Sequence, residues 1–202
     1  MFSSLLLRQK IKDIKRIASR FAKGLHLVTP STRAPPPTVI DAKIKTHSRH
    51  YQAFALREVR LVEPNAMPLF LDLSGNLAET HVTNMFLVYQ GVLMTPSSRN
   101  ILEGNGRTNV LRVAHELGIP VIERDLQPFH LYNADEAFVS SESRFLSPVT
   151  RYNGVPIGEK SPGPISRQLL KFFIKEVNYD VTGITYISSE ERKRLNIIFD
   201  PF

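Results

Sequence analysis

The sequence predicts an α+β fold for this chain of 202 residues. Its composition, 42% hydrophobic and 22% charged, is typical of a protein with a packed core. Strand and helix patterns follow one another without the regular strand–helix–strand order of a doubly wound sheet. The glycine stretch at residues 104–106 lacks the G-x-G-x-x-G spacing of a dinucleotide site, and it has no P-loop lysine and hydroxyl. These observations together favour α+β over a nucleotide-binding α/β sheet.

The first 23 residues predict a basic amphipathic helix. A single apolar stripe, at alternating steps of three and four residues, is formed by Leu7, Ile11, Ile14, Ala18 and Phe21. Seven Lys or Arg residues and one acid give the segment a charge of +6, out of +7 for the whole chain. Because the rest of the chain is nearly neutral, we expect no nucleic-acid partner.

Three interpretations of residues 1–23 stay open: a surface helix docked on the body, a mitochondrial targeting peptide, or a helix lying on a membrane surface. We expect a cytoplasmic protein, with the mitochondrial matrix as the alternative. No apolar run approaches the roughly 18 residues that a spanning helix needs, so stable membrane insertion is not expected. The chain has no cysteine, which excludes disulfides and thiolate metal ligands.

Residues 24–40 predict an extended connector, because four prolines interrupt this stretch. Residues 43–62 predict a helix whose apolar side contains Tyr51, Phe54, Ala55 and Val59. Two strand pairs follow, over residues 67–79 and 84–96, with turns at residues 74–76 and 90–91. The segment from residue 108 predicts an amphipathic helix that Gly118 ends.

The remaining pattern is also mixed. Short strands are expected over residues 121–126, 136–141 and 147–158, and the last of them turns at Asn153-Gly154. A final helix is expected over residues 164–177. The six histidines show no i, i+4 pair on a helix and no H-E-x-x-H motif, so we expect no metal site.

Several segments together resemble the pyridoxal phosphate-dependent class IV aminotransferases of fold type IV. This family includes branched-chain and D-amino-acid aminotransferases and aminodeoxychorismate lyase. The segments are, in order, GLHLVTPSTR, KIKTHSR, LAETHVTNMFLVYQGVLMTP, ILEGNGR, ELGIPVIERDL, NADEAF and SPVTRYNGVPIG. The most specific part is the ordered run Glu79, Asn84, Phe86, Thr95, Leu102, Gly104, Arg107.

The resemblance implies a fold and a division of the chain. Residues 41–202 would be the large C-terminal domain of that fold, a mixed β-sheet or pseudo-barrel with flanking helices. Residues 1–23 would stand in place of the family's N-terminal small domain, joined by the connector at 24–40. The resemblance also implies a homodimer that moves an amino group between an amino acid and a 2-oxo acid.

The resemblance implies pyridoxal 5′-phosphate as the cofactor and assigns residues to its ring. Lys45 matches the lysine that forms a Schiff base with the cofactor and then moves the substrate proton. Glu79 matches the acid that faces the pyridine nitrogen and keeps it protonated. Leu102 matches an aliphatic residue that packs on the ring. Asn84 is expected to hold the loop between strands.

The resemblance places the cofactor phosphate at a glycine turn. Gly104, Asn105 and Gly106 match the turn whose backbone N–H groups hold the phosphate at a helix N-terminus. A second segment of the same phosphate site is matched by Ser141, Glu142 and Ser143.

The sequence departs from the family at this phosphate site. Gly106 replaces a hydroxyl residue, and Glu142 stands where a small hydroxyl residue is usual. A carboxylate beside a phosphate dianion is repulsive, unless Arg144 neutralises it. Two alternatives to a transaminase therefore stay open: a truncated, non-catalytic homologue with weakened cofactor binding, or a lyase of the aminodeoxychorismate lyase type.

Overall fold

The computed structural model describes residues 23–142, 145–159, 162–177, 179–180 and 198–199. The expected basic helix lies outside these residues except for its last position, and so do Ser143 and Arg144. None of the described helices is both long and apolar enough to cross a membrane.

Nine of the described strands form one mixed sheet. They are β1 (Leu25–Val28), β2 (Met67–Leu71), β3 (Leu77–Thr80), β4 (Asn84–Tyr89), β5 (Val92–Pro96), β6 (Val121–Arg124), β7 (Glu136–Ser141), β8 (Phe145–Tyr152) and β9 (Val155–Pro156). The order is β3-β2-β1-β8-β7-β4-β5-β6, and β9 pairs with β8. Strand β1 is parallel to β2 and β8, β5 is parallel to β6, and the other pairs are antiparallel.

The sheet curls on itself. Strand β3 lies at one edge and β4 lies well inside, yet only residues 81–83 connect them. The edge is held near the far strands by the Leu77 N–H, which donates to the Leu126 carbonyl at 2.6 Å. The expected α+β class and the curled mixed sheet are confirmed. A separate short pair is formed by β10 (Tyr179–Asp180) and β11 (Ile198–Phe199).

Four α-helices of the described residues surround the sheet: α1 (His50–Val62), α2 (Asn105–Glu116), α3 (Pro128–Tyr132) and α4 (Pro164–Val177). Both faces of β4 are buried, because alternate residues enter different clusters. Met85 and Leu87 pack inside the curl. Phe86 and Val88 pack against residues of α2 and α4 on the outer face, where Phe86 stacks on Phe138 with ring centroids 5.1 Å apart. The sheet is therefore the middle layer between an inner core and the helices.

The structure confirms the three predicted hairpins: β2 pairs antiparallel with β3 across residues 72–76, and the turns of β4–β5 and β8–β9 have the expected conformation. Gln90 and Gly91 have φ angles of 49° and 78°, and Asn153 and Gly154 have 47° and 84°. Two successive left-handed residues give the turn that suits a two-residue hairpin. The Gly118 position, with φ of 67°, follows α2 as predicted, although α2 begins at Asn105 rather than at residue 108.

Three local expectations differ from the structure. The expected connector begins with β1, a buried strand between β2 and β8, and the prolines come only after it. Helix α1 begins at His50, not at residue 43, and Phe54 is 67% exposed while Ala55 and Val59 are buried. The short helix α3 was not expected, and Pro128 at its first turn is its one sequence signal.

Candidate active site

A cleft of about 790 Å³ opens at one end of the curled sheet. Its walls are the loop before α1, the end of β3, the start of β4, the start of α2 and the end of β7. Of the nine residues that the resemblance assigns to the cofactor, eight line this cleft: Lys45, Glu79, Leu102, Gly104, Asn105, Gly106, Ser141 and Glu142. The ninth, Ser143, lies outside the described residues. Residues far apart in the chain thus meet in one place, and the roles assigned to them remain predictions.

Lys45 lies in the loop that precedes α1. Its side chain is exposed and, among the described residues, its ammonium group has no hydrogen-bond or ion-pair partner. Lys43, two residues earlier, instead donates from Nζ to the Ser98 carbonyl at 2.6 Å and does not line the cleft. The structure therefore separates two lysines that sequence distinguishes only by their neighbours.

Glu79 is a half-buried acid at the end of β3. Its Oε2 accepts hydrogen bonds from Asn84 Nδ2 and from the Leu102 N–H, both at 3.2 Å. Burial raises the pKa of Glu79 to about 8, although the Leu102 N–H and the charge of Arg49 act to lower it. A carboxyl group with such a pKa is mostly neutral at pH 7, and a cation placed beside it would favour its ionised form.

Asn84, at the start of β4, links the elements at the end of the cleft that contains Glu79. Besides Glu79, its Nδ2 donates to the Leu102 carbonyl at 2.7 Å. The same carbonyl accepts from the Gly104 N–H at 2.9 Å. Asn84 is 4% exposed, so this side chain is a buried bridge. It ties the segment before α2 to β3 and β4, in line with the expected loop-holding role.

The first turn of α2 forms the opposite end of the cleft. Gly104 is its N-cap and has no side chain to cap the helix. The first N–H groups of a helix have no partner within the helix, so they remain available to an anion. A Cβ atom on Gly106 would lie 2.6–2.8 Å from backbone atoms of Ser141. Gly106 therefore has a structural reason that sequence analysis missed: β7 passes too close for any side chain.

Two unpartnered hydroxyl groups and one carboxylate lie beside this turn. The Oγ atoms of Ser140 and Ser141 are buried without a hydrogen-bond partner in the described part of the chain. The exposed Glu142 accepts a hydrogen bond at Oε2 from Asn105 Nδ2, at 3.4 Å. An anionic side chain thus lies at the positive end of α2, where it is electrostatically favourable.

The cleft also contains residues to which sequence analysis gave no role. Arg49 donates to the carbonyls of Thr46 and His81, at 3.3 and 3.4 Å, and so fixes the loop that contains Lys45. Tyr51 faces the same cleft, and burial, with the nearby Glu79, raises the pKa of its phenol. The only sequence signal for Arg49 is its place in the segment KIKTHSR. The described residues contain no cluster of three or more metal-ligating side chains.

The family model for class IV aminotransferases matches residues 9–152, more than half of the chain. A probable branched-chain-amino-acid aminotransferase of Thermotoga maritima is 40% identical over 106 residues, which are 52% of this chain and 39% of that protein. A D-alanine aminotransferase of Listeria monocytogenes is 34% identical over 57% of this chain and 40% of its own length.

A crystal structure of a branched-chain amino acid aminotransferase from T.th. with pyridoxamine 5′-phosphate is similar in fold. It aligns with a TM-score of 0.72 and 31% identity, over 80% of this chain and 52% of that one. The chain described here belongs to the class IV aminotransferase family. It spans about two fifths of the length of the two curated relatives named above.

Proposed function

We propose that this chain holds pyridoxal 5′-phosphate in the cleft and moves an amino group between an amino acid and a 2-oxo acid. The observation that supports the proposal most is the meeting of Lys45, Glu79 and the first turn of α2 in one cleft. Family membership supports the reaction class, and the related structure with pyridoxamine 5′-phosphate supports the cofactor. A homodimer is part of the proposal, by the same family argument.

The cleft fits such a cofactor at its ring end. Its volume lies within the range typical of small-molecule sites. The Glu79 carboxyl, whose pKa is raised by burial, gains a favourable partner when a protonated ring nitrogen lies beside it. At the other end, the open turn of α2 offers backbone donors to a phosphate group, and the Ser140 and Ser141 hydroxyls are buried nearby without a hydrogen-bond partner among the described residues.

Lys45, Glu79 and Arg49 would have different roles in the transfer of the amino group. When bound, the cofactor supplies an electron sink that stabilises negative charge at the substrate carbon. Lys45 Nζ would accept the proton from the substrate Cα and return it at the other end of the reacting system. Glu79, held by Asn84 and the Leu102 N–H, would keep the ring nitrogen protonated. Arg49 would position the Lys45 loop through its two carbonyl contacts.

A second candidate function has its own support. Glu142 lies at the end of the cleft where a phosphate would bind, and it is bonded to Asn105. This arrangement favours a non-catalytic homologue with weakened cofactor binding. A lyase on the same fold uses the same ring-binding residues, and no described contact favours it over a transaminase.

Cofactor titration of the whole chain tests the proposal. The wild-type protein should develop visible absorbance with pyridoxal 5′-phosphate that survives dialysis, and Lys45→Ala should abolish it. Lys43→Ala is the matched control, because it removes a nearby lysine that does not line the cleft. A wild-type protein that stays colourless, or equal loss in both variants, would contradict the proposal. The amino group transfer itself is measured by adding an amino acid and following conversion of an added 2-oxo acid.

A further inference from the structure

We propose that the Glu142 carboxylate is an intramolecular competitor for the phosphate group at the first turn of α2. It would thereby set how strongly the cleft prefers pyridoxal 5′-phosphate over unphosphorylated pyridoxal. This inference rests on the proposed function for the identity of the ligand. The competition itself concerns only residues of this chain.

Helix α2 lacks a side-chain cap at its N-terminus. Its N-cap is Gly104, which makes no side-chain hydrogen bond, and a serine, threonine or aspartate would normally satisfy one of the free N–H groups there. A carboxylate beside this turn comes from another element: Glu142, just after β7, accepts a hydrogen bond from the side-chain amide of Asn105, the first residue of α2. The carboxylate therefore places a negative charge at the N-terminus of α2, and its hydrogen bond is to a side chain and not to a helix N–H group.

Two buried hydroxyl groups near the first turn of α2 have no hydrogen-bond partner among the described residues. Ser140 is 0% exposed, and its Oγ has no hydrogen-bond partner in the part of the chain that the structure describes. The Oγ of Ser141 is also buried without a hydrogen-bond partner, and both residues line the cleft. Buried hydroxyls without partners are uncommon, and an ion or an ordered water can supply the partner. Glu142 therefore does not accept hydrogen bonds from all the donors at this end of the cleft.

The Glu142 carboxylate should weaken the binding of ligands that contain a phosphate group. A phosphate monoester is close to a dianion at neutral pH, so it is repelled by Glu142 as well as competing with it for donors. Pyridoxal has the same ring and aldehyde without the phosphate. Glu142 should therefore weaken the binding of one compound and not of the other.

The chain contains a matched control for this charge. Glu103 is also exposed and lines the same cleft next to the start of α2. Of the described acidic residues that line the cleft, however, only Glu142 is hydrogen-bonded to a residue in the first turn of that helix. Glu103→Gln removes the same charge from the cleft and leaves the Asn105–Glu142 contact in place.

The experiment measures the dissociation constants of both compounds for wild type, Glu142→Gln and Glu103→Gln at low ionic strength. Glu142→Gln should tighten binding of pyridoxal 5′-phosphate by about tenfold to a hundredfold and change pyridoxal by less than about twofold. Glu103→Gln should change the ratio of the two constants by less than about threefold. An unchanged ratio in Glu142→Gln, or an equal change in Glu103→Gln, would overturn the inference.

A second arm separates this inference from the proposed function. Inorganic phosphate needs neither Lys45 nor Glu79, and its binding is followed by thermal stabilisation. Phosphate should raise the Tm of Glu142→Gln more than that of the wild type and of Glu103→Gln. If no variant binds either cofactor form but this phosphate effect is present, the proposed function fails and the competition stands. If phosphate stabilises all three proteins equally, the competition fails.

Discussion

The pKa of Glu79 gives the most quantitative prediction of the account. The carboxyl is half-buried at the end of β3, and its hydrogen-bond donors are Asn84 Nδ2 and the Leu102 N–H. Burial raises its pKa from 4.5 to about 8. In the free protein the folded state therefore holds a proton on Glu79 over a pH range in which the unfolded chain has already released it. The perturbation that tests this difference is Glu79→Gln, which keeps the shape and cannot ionise.

The sign and size follow from linkage. Because the folded-state pKa is raised, the contribution of Glu79 to stability is fully present below pH 4.5 and is lost as the pH rises through 8. The change from 4.5 to about 8 corresponds to at most about 5 kcal/mol. Since the side chain is partly exposed, solvent screening reduces the expected loss to about 2–4 kcal/mol. Glu79→Gln should escape this loss altogether.

The assay is urea denaturation without cofactor at a series of pH values, for wild type and Glu79→Gln. The difference between their free energies of unfolding should be constant below pH 4.5. It should then move in favour of Glu79→Gln by about 2–4 kcal/mol between pH 4.5 and 8 and level off above pH 8. The control Glu103→Gln alters an exposed acid of the same cleft and should follow the wild type. Parallel curves for wild type and Glu79→Gln across this range would refute the reasoning.

Two further predictions concern the packing of the cleft. Gly106→Ser should lower the free energy of unfolding by about 1–3 kcal/mol, because its Cβ would lie 2.6–2.8 Å from the Ser141 backbone. The substitution should not tighten phosphate binding. An unchanged urea midpoint together with tighter phosphate binding would be inconsistent with this packing. Asn84→Ala should cost about 1–3 kcal/mol, since the Leu102 carbonyl and Glu79 both lose a buried donor. Circular dichroism during urea titration measures both variants, and Asn109→Ala, at an exposed position in α2, is the comparison.

The predictability of the fold depended on local turn chemistry. The hairpins were predictable because each two-residue turn contains a glycine, preceded in one of them by Asn153, and these residues tolerate the left-handed conformation that the turn requires. Strand β1 was not predictable, because a short apolar stretch followed by prolines has no periodic pattern. Its place in the sheet depends on pairing with β2 and β8, which lie about 40 and 120 residues further along the chain.

The sequence was sufficient to predict which residues line the site. It was not sufficient to predict the pKa of Glu79 or the packing around Gly106. The glycine turn and the lysine segment pointed to residues that do line one cleft. The raised pKa of Glu79 depends on burial that only the curled sheet creates. The need for Gly106 depends on the path of β7, which no residue near position 106 encodes. Contacts between distant segments are the common reason that these properties could not be read from the sequence.

The central claim, that this cleft holds pyridoxal 5′-phosphate on Lys45, is tested most directly by chemical mapping. The whole chain is incubated with the cofactor, reduced with borohydride, digested and analysed by mass spectrometry. We expect a phosphopyridoxyl group on Lys45 and much less labelling of Lys43, whose Nζ is bonded to the Ser98 carbonyl. Absence of this group, or its even distribution over exposed lysines, would contradict the proposal that the cleft holds the cofactor on Lys45.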